Sequence, residues 1–271
     1  MKLPCDLVVF VEVMALAHPR WGYRKLAVIC RRYRKVSDRH VYRILKEANM
    51  LKKKKLRKQK LLESSKLYEL LPQQPNQLWQ MDVTYIYVNG YGWYYAVTVI
   101  DYYSRYLLAC HFTTSYSSKE ALIGLKKATD EAIRVHGKFK QIPFLVTDNG
   151  SSFISAKFKD GLGEAFRHVR IQYRTPQQLG LLERFHETLK NEEIYFEPYN
   201  SPWEASKRLE AYRVIYNNIR PHWALRNDKK KDPLTPRDVY CDGMHIKIPK
   251  WQGWAIGAKK KLDEMIEKEA A

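Results

Sequence analysis

Three short stretches of this sequence decide the expected fold: QMDVT at residues 80–84, TDNGSSF at residues 147–153 and LERFH at residues 182–186. Each stretch places one carboxylate in an apolar or turn setting, where a charge calls for a chemical reason. Asp82 belongs to residues 78–87, whose aromatic and β-branched content predicts a strand. Asp148 follows a short apolar run that predicts a buried strand ending at a glycine turn. Glu183 opens a segment with helical periodicity.

Two aspartates at strand ends and one glutamate on a helix would form an oxygen-only site if the fold brings them together. Carboxylate oxygens of this kind suit Mg²⁺ or Mn²⁺. Two such ions can clamp the attacking and leaving oxygens of an in-line displacement at phosphorus. The ordinary alternatives are an edge-strand charge for Asp82, a turn-forming role for Asp148 and a helix-start charge for Glu183. Each alternative is the commoner outcome when its residue is taken singly, but the combination favours the metal site.

In this order, the three stretches resemble the DDE integrase core of bacterial insertion-sequence transposases, which is similar to the retroviral integrase core. The resemblance covers roughly residues 74–239 and includes the run VIDYYSR at 99–105 and the run YNNIRPH at 216–222. It implies an α/β fold, a ribonuclease-H-like mixed sheet with flanking helices, and an enzyme that nicks DNA and transfers DNA strands. It also implies catalytic roles, and the binding of two Mg²⁺ or Mn²⁺ ions, for three residues: Asp82, Asp148 and Glu183.

The spacing between Asp148 and Glu183 departs from the family pattern. It is 34 residues, one fewer than these transposases usually have, and the loop at 175–180 looks short. A missing residue is either absorbed in the loop or rotates the start of the next helix by about 100°. We expect absorption, because residues 183–186 keep the family pattern.

Two other functions share these features. The altered spacing suggests a catalytically inactive DNA-binding protein or regulator derived from a transposase. A host nuclease of the ribonuclease-H type, acting on RNA–DNA hybrids, would share the fold and the metals, but the integrase-like runs argue against it. Metal-dependent nicking of DNA would separate the enzyme from the inactive binder.

Lys190 follows Glu183 by seven residues, which places the two about 20° apart on one helix face. A cation there suits contact with a DNA phosphate, whereas the alternative is a solvated lysine beside Glu187. The resemblance favours the phosphate contact, because the family carries a basic residue at this place. Arg184 is a second, weaker candidate for contact with DNA.

Charge is concentrated at the start of the 271-residue chain, whose formal net charge is +19. Residues 1–60 carry 18 Lys and Arg against 4 Asp and Glu. Such a block indicates a polyanionic partner, with nucleic acid the first candidate and anionic lipid the second. No apolar run is long enough to span a bilayer, so we expect no membrane association. The four cysteines lack metal-ligand spacing, and reduced thiols in a cytoplasmic protein are expected.

The N-terminal region is expected to contain three helices: one at residues 6–17, one that opens within 18–26 and runs to about 33, and one at 38–49. Two short helices across a tight turn, the second with Arg39 and Arg43, indicate a helix-turn-helix. A plain helical hairpin with a solvated basic face is the alternative. The run HPRWGYRKL at 18–26 resembles the helix-turn-helix before the core in these transposases, which adds Arg24 and Lys25 as predicted DNA contacts.

We therefore predict four parts: a helix-turn-helix region at 1–51, a basic linker at 52–76, an integrase catalytic core at 77–240 and a tail of unknown role at 241–271. The core should start with antiparallel strands at 78–87, 91–101 and 106–112 and continue with alternating helices and strands. The resemblance implies double-stranded DNA partners, both element ends and target, and a homo-oligomer on DNA. It also implies a place on the bacterial nucleoid, and an upstream protein is a possible further requirement for function.

Overall fold

The computed structural model describes residues 3–51, 72–170, 180–227 and 232–246. Its centre is a five-stranded mixed sheet with the order β3-β2-β1-β4-β5. The strands are β1 Leu78–Val88, β2 Gly92–Asp101, β3 Leu107–Thr113, β4 Phe144–Thr147 and β5 Arg167–Arg170. The first three are antiparallel, and β4 and β5 run parallel to β1, as the predicted mixed sheet requires.

Several predictions fall wholly or partly outside the described residues. They are most of the linker at 52–76, the loop at 175–180 up to residue 179, and residues 247–271 of the tail.

The β1–β2 hairpin forms where the sequence has Asn89-Gly90, a strong signal for a tight turn. Val88 pairs with Gly92 across the turn. Gly90 and Gly92 have φ values of 74° and 91°, which an L-residue adopts only at a cost. The local turn chemistry therefore sets the register of the two longest strands, and the predicted hairpin is confirmed.

Nine α-helices lie in the described residues: α1 Cys5–Ala17, α2 Tyr23–Arg31, α3 Asp38–Glu47, α4 Ser118–His136, α5 Ser151–Ile154, α6 Ala156–Leu162, α7 Gly180–Leu189, α8 Pro202–Asn218 and α9 Pro236–Tyr240. The hydroxyls of Ser37, Ser117 and Ser201 accept backbone N–H groups at the starts of α3, α4 and α8. One difference from expectation is that α7 gives way to a π-helical segment at Lys190–Ile194.

Alternation along β1 divides the sheet into two packed faces. Trp79 and Met81 point towards α4, in a cluster that includes its residues Leu125 and Ala128. Leu78 and Ile86, on the opposite face of β1, belong to a second cluster formed with α7 and α8. Its helix residues include Leu182, Phe185 and Leu189 of α7 and Tyr216 of α8. Asp82 has the parity of Leu78 and Ile86. The period of the strand thus directs its carboxylate to the face that α7 covers.

The three N-terminal helices enclose a small core of their own, made chiefly by Val11, Trp21, Leu26, Ile29, Val41, Ile44 and Leu45. Ile215 and Ile219, at the end of α8, pack against this cluster. The helices at the predicted positions are therefore present and lie against the sheet-bearing part of the chain. No described helix combines the length and apolar character needed to cross a membrane.

Candidate active site

Asp82 and Asp148 lie side by side because β1 and β4 are parallel neighbours. Gln80 is opposite Val146 in this pair of strands. Asp82 lies two residues after Gln80, within β1. Asp148 lies two residues after Val146, just beyond the end of β4. Strand register alone therefore brings the two predicted carboxylates to the same place in the sheet.

Glu183 reaches the same neighbourhood from α7. Leu182 and Phe185 are buried in the cluster that includes Leu78 of β1, while Glu183 is exposed. Burial, together with the charges of Asp148 and Glu183, raises the pKa of Asp82 to about 7. A hydrogen bond from the backbone N–H of Val83, 2.7 Å long, acts in the opposite direction. Asp82 is thus within electrostatic reach of both other carboxylates.

This donor set fits a hard divalent cation. Asp82, which is 22% exposed, pays a desolvation cost beside two like charges, and a cation among them would remove the repulsion. Carboxylate oxygens are also the ligands that Mg²⁺ and Mn²⁺ prefer. In the described part of the chain, however, no three His, Cys, Asp or Glu side chains are close enough together to hold one ion as they stand. The fixed part of the site is the aspartate pair, and Glu183 stands at its edge.

The turn after Asp148 is shaped by a close contact that sequence reasoning missed. Oδ1 of Asp148 accepts the N–H of Gly150 at 2.9 Å. A Cβ atom on Gly150 would overlap the hydroxyl of Tyr116, so any other residue there requires Tyr116 to shift. Burial and the charge of Asp148 raise the pKa of Tyr116, which keeps its hydroxyl protonated. The Asn149-Gly150 signal predicted the turn, but no local signal pointed to Tyr116.

His186 is a buried link between α7 and the sheet. Its Nε2 lies 2.7 Å from Oγ1 of Thr98, and its Nδ1 lies 3.5 Å from Oδ2 of Asp82. Thr98 is the residue opposite Asp82 in the β1–β2 ladder, and its hydroxyl donates to the Asp82 carbonyl at 3.2 Å. Burial, with the nearby charge of Lys190, lowers the pKa of His186 to about 3, so the ring is neutral at ordinary pH.

Lys190 and Arg184, the two predicted DNA contacts on this helix, differ in setting. Lys190 is half-buried, and its charge lowers the pKa of both Asp82 and His186, so it lies close to the carboxylates. Arg184 is exposed on α7. Both positions are compatible with the predicted contact with a phosphate, which stays a prediction.

Among the predicted DNA contacts near the N-terminus, Arg24 and Arg39 are exposed, and Arg43 is exposed near Glu47, its Nε 3.9 Å from Oε1. Lys25 differs. Its Nζ lies 2.7 Å from Oε1 of Glu192, and its side chain is 17% exposed. A lysine whose ammonium group is held in a half-buried ion pair is poorly placed to contact a DNA phosphate. Lys25 therefore makes an ion pair within the protein, and its predicted contact with DNA stays a prediction.

Known proteins share the central part of this chain. Models of an integrase core domain match residues 72–180 and 164–228, which together span more than half of the chain. A protein of insertion element IS476 from Xanthomonas euvesicatoria, described as uncharacterized, is 26% identical over 211 residues. That match covers 77% of this chain and 59% of the relative. The transposase for insertion sequence element IS904 from Lactococcus lactis is 27% identical over 162 residues, covering 58% of this chain and 61% of the relative.

The match thus spans about three fifths of each of these two relatives. A solved structure shares the fold: a chain in the cryo-EM structure of the simian T-cell lymphotropic virus intasome with the PP2A regulatory subunit B56 gamma. The likeness covers 88% of this chain and 77% of that one, with 19% identity and a TM-score of 0.51. The fold is therefore that of the ribonuclease-H-like integrase core.

Proposed function

We propose, on the premise that this chain belongs to the integrase core domain family, that it is a DDE-type transposase that nicks DNA and transfers the freed strand to a target. The observation that carries the proposal is the register that sets Asp82 beside Asp148, with the charge of Glu183 acting on Asp82. This arrangement supports two-metal phosphoryl chemistry, in which shared carboxylates hold the ions.

Asp82, Asp148 and Glu183 would hold the divalent ions, Mg²⁺ or Mn²⁺, which supply Lewis-acid stabilisation of a phosphate and a more acidic water or 3′-hydroxyl when bound. The other residues act on the protein side. His186, neutral and held by Thr98, limits the rotation of the Asp82 carboxylate. Lys190 supplies a positive charge next to the carboxylates, where the phosphate of a scissile strand would lie.

The proposed partners are DNA ends and target DNA, bound by a homo-oligomer on the bacterial nucleoid. Support comes from the basic block at residues 1–60 and from the exposure of Arg24, Arg39 and Arg43. Phosphate contacts of this kind give affinity that falls with salt and does not depend on base sequence. The coordinated joining of two ends also requires more than one subunit.

The test is metal-dependent nicking of a plasmid that carries the DNA flanking this gene. We expect wild-type protein to nick in Mg²⁺ or Mn²⁺ and to be inactive in EDTA. Asp82→Asn should lose nicking and keep DNA binding, because the carboxylate is replaced by a group of the same shape. Full strand transfer by an Asp82→Asn variant with normal metal binding would falsify the proposal.

A second candidate function is an inactive DNA-binding protein or regulator. It is favoured by the 34-residue spacing and by the exposed position of Glu183 outside any group of three ligands in the described residues. DNA binding without nicking in both Mg²⁺ and Mn²⁺ would support this second function.

A further inference from the structure

The π-helical segment at Lys190–Ile194 directly continues α7, the helix of Glu183. Three consecutive residues in it are buried, Glu192, Glu193 and Ile194. Three consecutive positions of a helix point in different directions around its axis, so they cannot all share one face. The segment is therefore enclosed from more than one side. Two of its buried residues carry a charge, and both need partners.

Glu192 has cationic partners from two parts of the chain. Lys25 of α2 donates to it at 2.7 Å, and Arg220, after α8, donates through Nε at 2.7 Å and through a second nitrogen at 2.9 Å. The hydroxyl of Tyr212 lies 3.3 Å away. Burial alone would raise the pKa of Glu192, but Arg220 and Lys25 hold it at about 2.

Glu193 repeats this arrangement. Arg20, between α1 and α2, donates to Oε2 at 3.1 Å, and Arg208 of α8 donates to Oε1 at 2.9 Å. The guanidinium of Arg20 also lies over the ring of Phe196, 3.7 Å from its centroid. Each glutamate thus joins one cation from the N-terminal helices to one from the sheet-bearing part.

Other contacts hold the N-terminal helices in the same place. Nε of Arg31, at the end of α2, donates to Asp232 at 2.8 Å. Ile215 and Ile219 of α8 extend the apolar cluster of the three helices. The two glutamates therefore sit in a continuous interface, and they are the part of it next to Lys190.

We propose that Arg20 and Lys25 are positioning residues, which act through Glu193 and Glu192 to hold the π-helical segment and hence α7 with Glu183 and Lys190. Loss of one cation leaves a buried carboxylate short of its partner. The segment then gains by moving that carboxylate towards water. Only one residue separates Lys190 from Glu192, so such a movement displaces the end of α7. The N-terminal helices are thereby part of what places the proposed catalytic glutamate.

The competing explanation is that Lys25 contacts DNA directly, as its sequence context predicts. Arg24 is the matched control, because it is its neighbour on α2, is basic and is exposed. The inference rests on the proposed function for its nicking readout only. Its main readout is hydrogen exchange of residues 180–194 in the free full-length protein, which requires neither DNA nor activity.

The experiment compares Lys25→Gln, Lys25→Arg and Arg24→Gln. We expect Lys25→Gln to speed exchange in residues 180–194 and to slow nicking, each by about tenfold, with DNA affinity unchanged. Lys25→Arg should restore both, since it returns the charge. Arg24→Gln should leave exchange at the wild-type rate and weaken DNA binding in a salt-dependent way.

Wild-type exchange in residues 180–194 of folded Lys25→Gln would overturn the inference, as would weakened DNA binding with no change in exchange. If Lys25→Gln does not fold, Arg20→Gln replaces it, because Glu193 retains Arg208. An absence of nicking by the wild-type protein would count against the proposed function alone, because the exchange comparison would still decide the inference.

Discussion

Nδ1 of His186, on α7, lies 3.5 Å from Oδ2 of Asp82, on β1. The ring is neutral, because burial lowers its pKa to about 3. With its proton on Nδ1, the neutral ring would donate to Asp82, and Nε2 would then take the single hydroxyl hydrogen of Thr98, 2.7 Å away, in place of the Asp82 carbonyl. One side chain thus ties the helix of Glu183 to the strand of Asp82.

Replacing His186 with leucine should weaken metal binding. Residues that orient a metal ligand typically account for about 10–100-fold in affinity, so we expect at least tenfold weaker Mn²⁺ binding by His186→Leu in calorimetric titration. His186→Asn, which keeps a hydrogen-bonding side chain, should recover part of the loss. Equal Mn²⁺ affinity of wild type and His186→Leu would contradict the positioning role.

Asp82→Asn should stabilise the metal-free protein at alkaline pH. The pKa of Asp82 rises from 3.8 to about 7 on folding, so the folded state holds a proton that the unfolded chain releases. The stability from this carboxyl is complete below its unfolded pKa and is lost as the pH rises through about 7. In EDTA at pH 8, we expect the free energy of unfolding of the variant to exceed that of the wild type by about 1–3 kcal/mol.

Urea titrations at pH 5 and pH 8 measure this difference. An advantage of the Asn variant that is the same at both pH values would show that the pKa shift does not cause it. Added Mn²⁺ should remove the advantage at pH 8, because binding to the folded wild type stabilises it.

Glu192→Gln should destabilise the protein at neutral pH, by about 3–5 kcal/mol, because Arg220 and Lys25 lose their buried partner. The folded-state pKa of Glu192 is lowered to about 2, so its contribution is present above its usual value of 4.5 and is lost as the pH falls towards 2. The acid limb of the stability curve should therefore be shallower in the variant. A parallel limb would mean that other carboxylates dominate there.

Gly150→Ala should cost about 1–3 kcal/mol of stability through overlap with the hydroxyl of Tyr116. Tyr116→Phe removes that hydroxyl, so the alanine should cost less in this background. A double-mutant cycle on thermal unfolding gives the coupling between the two sites. Additive effects would place the strain elsewhere, for example at Oδ1 of Asp148, 2.9 Å from the same Cβ position.

Arg39→Gln combined with Arg43→Gln should weaken binding to all DNA sequences alike. For every phosphate that the protein no longer neutralises, the slope of log affinity against log salt should fall by about one. Lys126→Gln is the control, because Lys126 is exposed on α4 and pairs with Asp130 at 2.8 Å. Weakening confined to one DNA sequence would instead indicate base recognition by α3.

Elements with a local cause were predictable from the sequence. Asn89-Gly90 fixes a hairpin because its turn needs a positive φ, and alternation in β1 assigns Asp82 to one face. Asp101 ends the predicted second strand, and it is fully buried, accepting hydrogen bonds from the backbone N–H groups of Asn76 and Ser104. The three N-terminal helices also formed where caps and periodicity indicated.

Features that depend on distant partners were not predictable in this way. Lys25 looks like a DNA contact in its basic run, because its partner Glu192 lies 167 residues further along the chain. In the sequence, Glu192 and Glu193 resemble ordinary surface charges on a helix. No residue near them indicates their partners, Arg220 for Glu192 and Arg20 for Glu193. The π-helical segment Lys190–Ile194 likewise has no signature in the sequence.

The interface between the N-terminal helices and the π-helical segment limits which parts of the chain can be exchanged with those of a relative. A hybrid that takes its first three helices from one transposase and its sheet from another must match both halves of the ionic contact, as Lys25 is matched to Glu192 here. Hybrids that are matched only at the DNA-contacting surface would contain a buried charge without its partner. A hybrid built from this chain should therefore keep Arg20 and Lys25 together with Glu193 and Glu192.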